Sequence, residues 1–267
     1  MVDGQQSKMK LSNSNKIIIL CEKKKWLVDK KNKNFSTHYG TVDIEDIIEN
    51  EDGYSKKIGD KNFFFFIPTI YEFITKIKRK TQIIYPKDIS SIIFYSDVKE
   101  TDKVIEAGTG SGALLISLAK IIKRGKIISI ERNEQFQKIA IENLKEYFGK
   151  IPENVNLIRG DVYDENFEIK VEKKWADKIF LDLPEPWKGK RLLKYLREGG
   201  ILVNYNPQIM QIKRFIEEIE KMGFTDFKVI EILEREWIVD KKRTRPTDLM
   251  RGHTGFIMFA RKYKSEG

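Results

Sequence analysis

Residues 103–120 read KVIEAGTGSGALLISLAK and combine three signals in one short segment. The apolar start predicts a strand, and residues 113–120 predict a helix from their apolar positions at helical spacing. Between them lies the glycine-rich segment EAGTGSG, residues 106–112. Glycine permits a tight turn and lets a ligand reach backbone N–H groups that a side chain would cover. The segment therefore predicts a strand–turn–helix cradle for a nucleotide-like cofactor.

The charges around this turn indicate which cofactor it holds. The G-x-G-x-G spacing is shorter than the dinucleotide pattern, and Glu106 precedes it where a pyrophosphate would be repelled. S-adenosylmethionine carries sulfonium and ammonium groups, and a carboxylate at the end of the next strand suits its ribose hydroxyls. Residues 126–131 form such an apolar run and end in Glu131. A purely structural glycine turn is the alternative, which the paired carboxylate disfavours.

Strand-like and helix-like segments alternate after residue 103. We predict strands over 103–108, 126–131, 155–159, 178–183 and 200–205, helices over 111–122, 133–148, 188–197 and 208–222, and a terminal antiparallel hairpin from 227–233 and 255–260. This order predicts an α/β fold with a parallel, doubly wound sheet. Ligands bind beyond the carboxyl ends of such strands, so Gly108, Glu131, Asp161 and Asp182 are expected to converge at one edge.

The segment before residue 103 is organised differently. We predict a disordered tail over residues 1–12, a small N-terminal β domain over 13–75 and a catalytic domain over 76–267. The run FFFFI at residues 63–67 predicts a fully buried strand or an oligomer contact. Residues 83–88 lead into a helical segment that precedes the glycine turn.

Composition narrows the function classes. The chain has 50 Lys and Arg against 40 Asp and Glu, a net charge of +10, which favours a polyanionic partner. Thermophilic composition is a second explanation for the same charge. A single cysteine, Cys21, excludes an internal disulfide framework, and His38 and His253 lack metal-ligand spacing, so we predict no metal site. Without a signal peptide or a long apolar span, we predict a soluble cytoplasmic protein.

A second chemical motif is DLPEPW, residues 182–187, which follows the apolar run at 178–181. Two prolines stiffen this loop beside the expected methyl donor. The Asp182 carboxylate is suited to accept a hydrogen bond from an exocyclic nucleobase amine and so to orient a ring nitrogen toward the methyl group. A proline-rich turn with a packed tryptophan is the structural alternative.

Four motifs in order resemble one family. YPKD (85–88), EAGTGSG (106–112), DLPEPW (182–187) and GHTGF (252–256), with FSTHYG at 35–40, are similar to the tRNA adenine-N1 methyltransferases that modify adenine 58 of the T-loop, and in archaeal members adenine 57. The likeness runs from about residue 16 to 262. It implies a Rossmann-like class I S-adenosylmethionine-dependent methyltransferase domain with a small N-terminal β domain, acting on tRNA as a homotetramer.

The resemblance also implies roles for individual residues. It assigns catalysis and base binding to Asp182, Tyr85 and Tyr205. It assigns cofactor binding to Glu106, Gly108, Thr109, Gly110, Ser111, Gly112, Glu131, Asp161 and Asp182. The chain departs from the family pattern in Asn206-Pro207 and in the strongly basic residues 240–251, which are candidates for tRNA docking together with the lysines of residues 23–33.

Two other functions remain open from sequence alone. One is a methyltransferase that acts on the exocyclic N6 amine. Such enzymes typically have a loop of Asp or Asn followed by Pro-Pro and an aromatic residue, whereas here a Leu precedes the first proline and a Glu separates the two prolines. A non-catalytic tRNA-binding subunit is the other. The intact glycines of residues 106–112, with Glu131 and Asp182, favour an active enzyme.

Overall fold

The computed structural model describes residues 9–264 and divides them between two compact units. One unit comprises the chain up to Lys78 together with Glu142–Ile151, and the other comprises Arg79–Ile141 and the chain from Pro152 onward. Of the predicted disordered tail, residues 1–8 lie outside the described part. The remainder differs from that prediction, because Leu11 is fully buried and begins a short 3-10 helix, Leu11–Asn13.

The first unit is built mainly from antiparallel strands. Its elements are β1 (Lys16–Cys21), β2 (Lys24–Asp29), β3 (Asn34–Thr37), β4 (Gly40–Asp43), α1 (Glu45–Ile48), β5 (Tyr54–Ile58), β6 (Lys61–Phe66) and α2 (Ile70–Thr75). Four strands form a sheet in the order β2-β1-β6-β5, and β3 pairs with β4. Residues 142–151 join this unit because the Asn15 side-chain amide donates to the carbonyls of Lys145 and Glu146.

The phenylalanine run shows strand periodicity and is not buried on both faces. Phe63 and Phe65 are fully buried, whereas Phe64 and Phe66 are exposed. Successive side chains of a strand point to opposite faces, so only every second residue reaches the core. Of the two alternatives predicted for this run, the fully buried strand is therefore wrong, and the oligomer contact stays a prediction.

The second unit alternates strands and helices. Its elements are α3 (Pro86–Tyr95), β7 (Lys103–Ala107), α4 (Ala113–Ile121), β8 (Lys126–Glu131), α5 (Glu134–Phe148, whose last residues belong to the first unit), β9 (Val155–Arg159), β10 (Ala176–Leu181), a 3-10 helix (Pro186–Tyr195), β11 (Leu196–Asn206), α6 (Ile209–Glu220), β12 (Phe224–Glu231), β13 (Trp237–Val239), β14 (Thr244–Pro246) and β15 (Phe256–Lys262).

Seven strands form the central sheet in the order β12-β15-β11-β10-β7-β8-β9. The five strands from β11 to β9 are parallel, and β15 pairs antiparallel with both β11 and β12. The predicted α/β fold and terminal hairpin are confirmed. The predicted helix over 188–197 is wrong at its end: pairing of Leu196 with Ala176 starts β11 there, and the preceding residues form the 3-10 helix that begins at Pro186.

Parallel pairing brings the carboxyl ends of β7, β8, β9, β10 and β11 to one edge. A core of residues from these strands, such as Ile105, Ile130, Ile179 and Leu202, supports that edge and is almost completely buried. None of the helices formed by residues 9–264 has the length and apolar character that crossing a membrane requires.

Candidate active site

A cavity of about 490 Å³ opens at the carboxyl edge of the sheet. The sequence-predicted residues that line it are Gly108, Gly110, Glu131, Asp161, Asp182 and Tyr205. The chain brings them together from the ends of β7, β8, β9, β10 and β11. The convergence expected for a parallel sheet is therefore present in the folded chain.

Gly108 allows the glycine-rich loop, residues 108–112, to touch the loop of residues 182–187, which we call the Asp182 loop. Its φ angle is +92°, and a Cβ atom there would lie 2.1 Å from the carbonyl oxygen of Asp182. The Asp182 N–H in turn donates to the Ala107 carbonyl at 2.9 Å. No side chain fits between these backbones, so the sequence must have glycine at 108 to bring Asp182 beside the loop.

The Glu131 carboxylate is fixed by the backbone on both of its oxygens. It accepts from the Gly110 N–H at 2.9 Å and from the Asn133 N–H at 2.8 Å, and it is nearly buried. A carboxylate oxygen has more than one acceptor site, so the cavity-facing lone pairs remain for a ligand hydroxyl. This geometry suits the ribose diol of a nucleoside.

Glu106 lies beneath the loop and does not line the cavity, which differs from the direct contact predicted from the sequence. Its buried carboxylate accepts from Ser129 Oγ at 2.5 Å, and Ser129 also shares a 2.6 Å hydrogen bond with Thr109 Oγ1. Burial, with the nearby Asp182 and Glu131 carboxylates, raises the Glu106 pKa to about 8. Thr109, Ser111 and Gly112 likewise support the loop from outside the lining.

Asp182 presents an unpartnered carboxylate to the cavity. Within residues 9–264 its side-chain oxygens accept no hydrogen bond, although the group is only partly exposed. Burial and the Glu131 charge raise the Asp182 pKa to about 7. A cationic ligand would relieve the repulsion between these carboxylates, which favours a sulfonium over a phosphate in the same space.

Asp161 closes the cavity beside β9, with help from two residues that sequence reasoning missed. Arg132 contacts the Asp161 carboxylate at 3.6 Å and lies over the Tyr163 ring, 5.4 Å from its centroid. The Tyr163 hydroxyl accepts from the Glu185 N–H at 3.0 Å. The side of the cavity that would hold the adenosine is thus connected to the loop that carries Asp182.

The two predicted base-pocket tyrosines occupy different positions. Tyr205 lines the cavity and donates its hydroxyl to the Thr254 carbonyl at 2.7 Å. Tyr85 is outside the lining: its hydroxyl accepts from the Gln82 amide at 2.8 Å, and the Arg251 guanidinium lies 4.1 Å from its ring centroid. Of these two tyrosines, Tyr205 alone lines the cavity in this conformation.

Two buried asparagines of β11 hold the Asp182 loop and the end of β10 in place. Asn204 donates to the Leu181 carbonyl and Asn206 to the Leu183 carbonyl, each at 3.1 Å. The sequence signal was available, since polar residues at 204 and 206 alternate within the apolar strand LVNYN. Such residues at the buried face of a strand require hydrogen-bond partners, which the loop provides.

His253 is held by two hydrogen-bond partners. His253 contacts a Glu231 carboxylate oxygen at 2.6 Å and the Pro207 carbonyl at 2.8 Å, and these contacts raise its pKa. Within residues 9–264 no group of three or more His, Cys, Asp and Glu side chains is arranged to hold a metal ion.

The raised pKa of Asp182 leads to an expected pH dependence. In the base-orienting role expected from the sequence, only the ionised carboxylate can accept an N–H hydrogen bond, so kcat/KM should rise with pH to a plateau above the pKa of about 7 and fall about tenfold per pH unit below it. The native state also holds a proton that the unfolded state releases, since the ordinary pKa is 3.8. Stability from this group therefore decreases as pH rises from about 4 to about 7. Initial rates measured on both sides of pH 7 test the predicted dependence of kcat/KM. A kcat/KM that does not change with pH would contradict it.

The fold and the site together define the class of protein. The cradle at Gly108, the fixed Glu131 carboxylate and the anionic cavity fit S-adenosylmethionine, and this chain is an S-adenosylmethionine-dependent methyltransferase of the Rossmann-like type. A family model described as the tRNA methyltransferase complex GCD14 subunit matches residues 61–250. The chain belongs to this family, so the resemblance read from its motifs is confirmed.

Individual relatives extend the likeness over nearly the whole chain. The tRNA (adenine(57)-N(1)/adenine(58)-N(1))-methyltransferase TrmI of Methanocaldococcus jannaschii is 35% identical over 262 residues, which cover 89% of this chain and 91% of that protein. The crystal structure of the tRNA (m1A58) methyltransferase TrmI of Aquifex aeolicus has a TM-score of 0.81 and 32% identity, covering 94% of this chain and 98% of that one. A Thermotoga maritima structure named as an S-adenosylmethionine-dependent O-methyltransferase has a TM-score of 0.86 and 31% identity, covering 100% and 99%.

Proposed function

We propose that this enzyme transfers a methyl group from S-adenosylmethionine to N1 of adenine 58 in the T-loop of tRNA, with adenine 57 as a further acceptor. The observation that carries the proposal is the Asp182 carboxylate, which faces the cavity without a hydrogen-bond partner among residues 9–264. An acceptor with an exocyclic amine beside a ring nitrogen matches this group. Adenine is such a base, and the TrmI relatives are named for this reaction.

The protein residues supply binding and orientation. Glu131 would hold the ribose hydroxyls, Asp161 would lie at the adenosine end, and the backbone at Gly108 and Gly110 would face the methionine portion. S-adenosylmethionine supplies the methyl group as an electrophile. Adenine N1 is unprotonated near neutral pH, so Asp182 need not remove a proton before transfer. It accepts a hydrogen bond from the N6 amine, which directs the N1 lone pair at the methyl group.

Methyl transfer would carry the positive charge from the sulfur to the base. S-adenosylmethionine would supply the methyl group to N1 and keep the electron pair of the broken sulfur–carbon bond. The adenine becomes cationic, so the fixed negative charge of Asp182 interacts more strongly with the product-like transition state than with the neutral base. The neutral base must leave its stack in the T-loop to reach the cavity, where the ring of Tyr205 offers an aromatic face.

Binding of the rest of the tRNA is assigned to an exposed basic tip. Lys241, Lys242 and Arg243 connect β13 to β14 and are all exposed. We define these three residues as the basic tip. We also propose that the protein works in the cytoplasm and assembles as a homotetramer, as the family resemblance implies.

The basic tip leads to a salt-dependent expectation. Replacing its three residues with alanine should weaken tRNA binding and reduce the slope of log affinity against log salt by about 2 to 3, because phosphate contacts release counterions. Fluorescence anisotropy with labelled tRNA over a salt series measures both quantities. A charge-matched triple control is provided by three exposed lysines: Lys138 on α5, Lys213 on α6 and Lys221 directly after α6. Equal slopes for the two triple variants would contradict a docking role for the tip.

The position of the methyl group tests the proposed function. An unmodified tRNA transcript is incubated with the enzyme and S-adenosylmethionine. Primer extension by reverse transcriptase then stops at any base whose Watson–Crick edge carries a methyl group, which locates the modification. We expect a block at position 58, lost when that adenosine is replaced by guanosine. A methylated product without a block would favour the N6 or 2′-oxygen acceptor. Cofactor and tRNA binding without product would favour the non-catalytic subunit.

A further inference from the structure

A buried ion pair lies next to the base-binding side of the cavity. Lys87 Nζ is 2.8 Å from Asp88 Oδ1, and the two side chains are 7% and 0% exposed. Both residues belong to the first turn of α3. Removing two charges from water is costly, so such a pair requires further hydrogen bonds for its remaining polar atoms. The partners of these hydrogen bonds show which parts of the chain the ion pair fixes in place.

The partners come from both ends of the segment between β12 and β15. Lys87 Nζ donates to the Ile232 carbonyl at 2.7 Å and to Thr254 Oγ1 at 2.6 Å. The Thr254 hydroxyl donates in turn to Asp88 Oδ2 at 2.7 Å. Ile232 directly follows β12, and Thr254 lies two residues before β15. One ion pair therefore fixes both ends of the segment that carries the basic tip.

The same segment determines the orientation of Tyr205. The Thr254 carbonyl accepts the Tyr205 hydroxyl at 2.7 Å, and a Cβ atom on Gly255 would lie 2.5 Å from Cζ of that ring. Since the Thr254 hydroxyl has both its donor and an acceptor position in use, its backbone has little freedom to move. Any displacement of Thr254 is passed directly to the tyrosine ring that lines the cavity.

We propose that Lys87, Asp88 and Thr254 form a positioning network that fixes the Tyr205 ring as a wall of the acceptor-base subsite. Neither Lys87 nor Asp88 lines the cavity, whereas Thr254 does. Lys87 and Asp88 are therefore positioning residues that act through Thr254. The inference rests on the proposed function, because it takes the base to be an RNA adenine. The network joins two motifs that are distant in sequence, because Lys87 and Asp88 belong to YPKD and Thr254 belongs to GHTGF.

A matched pair of buried carboxylates tests the network. Asp102 is paired with Lys178 at 2.5 Å, their side chains are 7% and 6% exposed, and they lie at the opposite ends of the strands from the cavity. We expect Asp88→Asn and Asp102→Asn to lower the melting temperature to similar extents and to leave the Kd for S-adenosylmethionine within about twofold. Only Asp88→Asn should lower kcat on tRNA, by about 30-fold, because it misplaces the base.

A second comparison changes the hydroxyl alone. Thr254→Val removes the hydroxyl at nearly constant shape, whereas Thr254→Ser keeps it. We expect Thr254→Ser to restore most of the kcat that Thr254→Val loses, which a role in packing alone would not produce. This pair also keeps the proposal open to refutation if Asp88→Asn does not fold.

A spectroscopic readout separates this inference from the proposed function. The enzyme is labelled with 3-fluorotyrosine, and Tyr205→Phe identifies the fluorine resonance of Tyr205. We expect that resonance to shift in Asp88→Asn and Thr254→Val and to stay in place in Asp102→Asn. An unshifted resonance, or equal loss of kcat in Asp88→Asn and Asp102→Asn, would overturn the network. Absence of methylated tRNA from the wild type would instead refute the proposed function and leave the fluorine result interpretable.

Discussion

Asp182→Ala should lower kcat for tRNA methylation by about 100-fold to 1000-fold, the usual loss when one preorganised electrostatic group is removed from a reaction centre. The carboxylate has no structural hydrogen bond to lose among residues 9–264, so the fold should tolerate the change. The Kd for S-adenosylmethionine should rise by no more than about tenfold, because one anionic group near the sulfonium is lost while Glu131 and the glycine-rich loop remain. Single-turnover kinetics with saturating tRNA measure the rate of transfer directly.

Glu185 offers a control on the same loop. It is an acidic residue three positions beyond Asp182, pairs with Lys188 at 2.6 Å and does not line the cavity. Glu185→Gln should retain the wild-type rate. A similar loss in Glu185→Gln and Asp182→Ala would mean that loop structure, and not the Asp182 charge, limits the reaction.

Gly108→Ala should weaken cofactor binding strongly, with an increase in the Kd for S-adenosylmethionine of about 100-fold or more. The new methyl group would lie 2.1 Å from the Asp182 carbonyl oxygen, so the glycine-rich loop and the Asp182 loop must separate. Overpacking and the strain of a positive φ angle should also lower the free energy of unfolding by about 3 kcal/mol. Isothermal titration calorimetry and thermal unfolding report the two effects.

Gly53 separates backbone strain from the steric clash. Its φ angle is +87°, close to the +92° of Gly108, but a Cβ atom there would meet nothing within 4 Å. Gly53→Ala should therefore lower stability by only about 1 kcal/mol and leave cofactor affinity unchanged. Wild-type affinity in Gly108→Ala would show that the two loops do not need their close contact.

The fold was largely predictable because its signals are local. The glycine turn, the alternating apolar segments and the acid at Glu131 each follow from short stretches of sequence, and parallel strands necessarily bring their ends together. The burial of the phenylalanine run was not predictable, because four identical apolar residues in a row show no alternation in the sequence although alternate side chains face the core and the solvent. The helix predicted over 188–197 failed because pairing with β10, a tertiary interaction, begins β11 at Leu196.

The candidate site was predictable in its members but not in their geometry. Nothing local in the sequence indicates that Glu106 points to Ser129 and away from the cavity, or that Tyr85 packs under Arg251. The network of Lys87 and Thr254 joins residues far apart in the chain, so it depends on the completed sheet. Sequence reasoning selects residue types suited to the chemistry, and packing decides which atoms face the ligand.

The most direct measurement is mass spectrometry of nucleosides from tRNA incubated with the wild-type enzyme and S-adenosylmethionine that carries a trideuterated methyl group. We predict that the label appears in 1-methyladenosine, and that Asp182→Ala reduces it sharply while Glu185→Gln does not. Label found only in N6-methyladenosine or in a 2′-O-methyl nucleoside would contradict the proposal that Asp182 orients adenine N1 toward the methyl group.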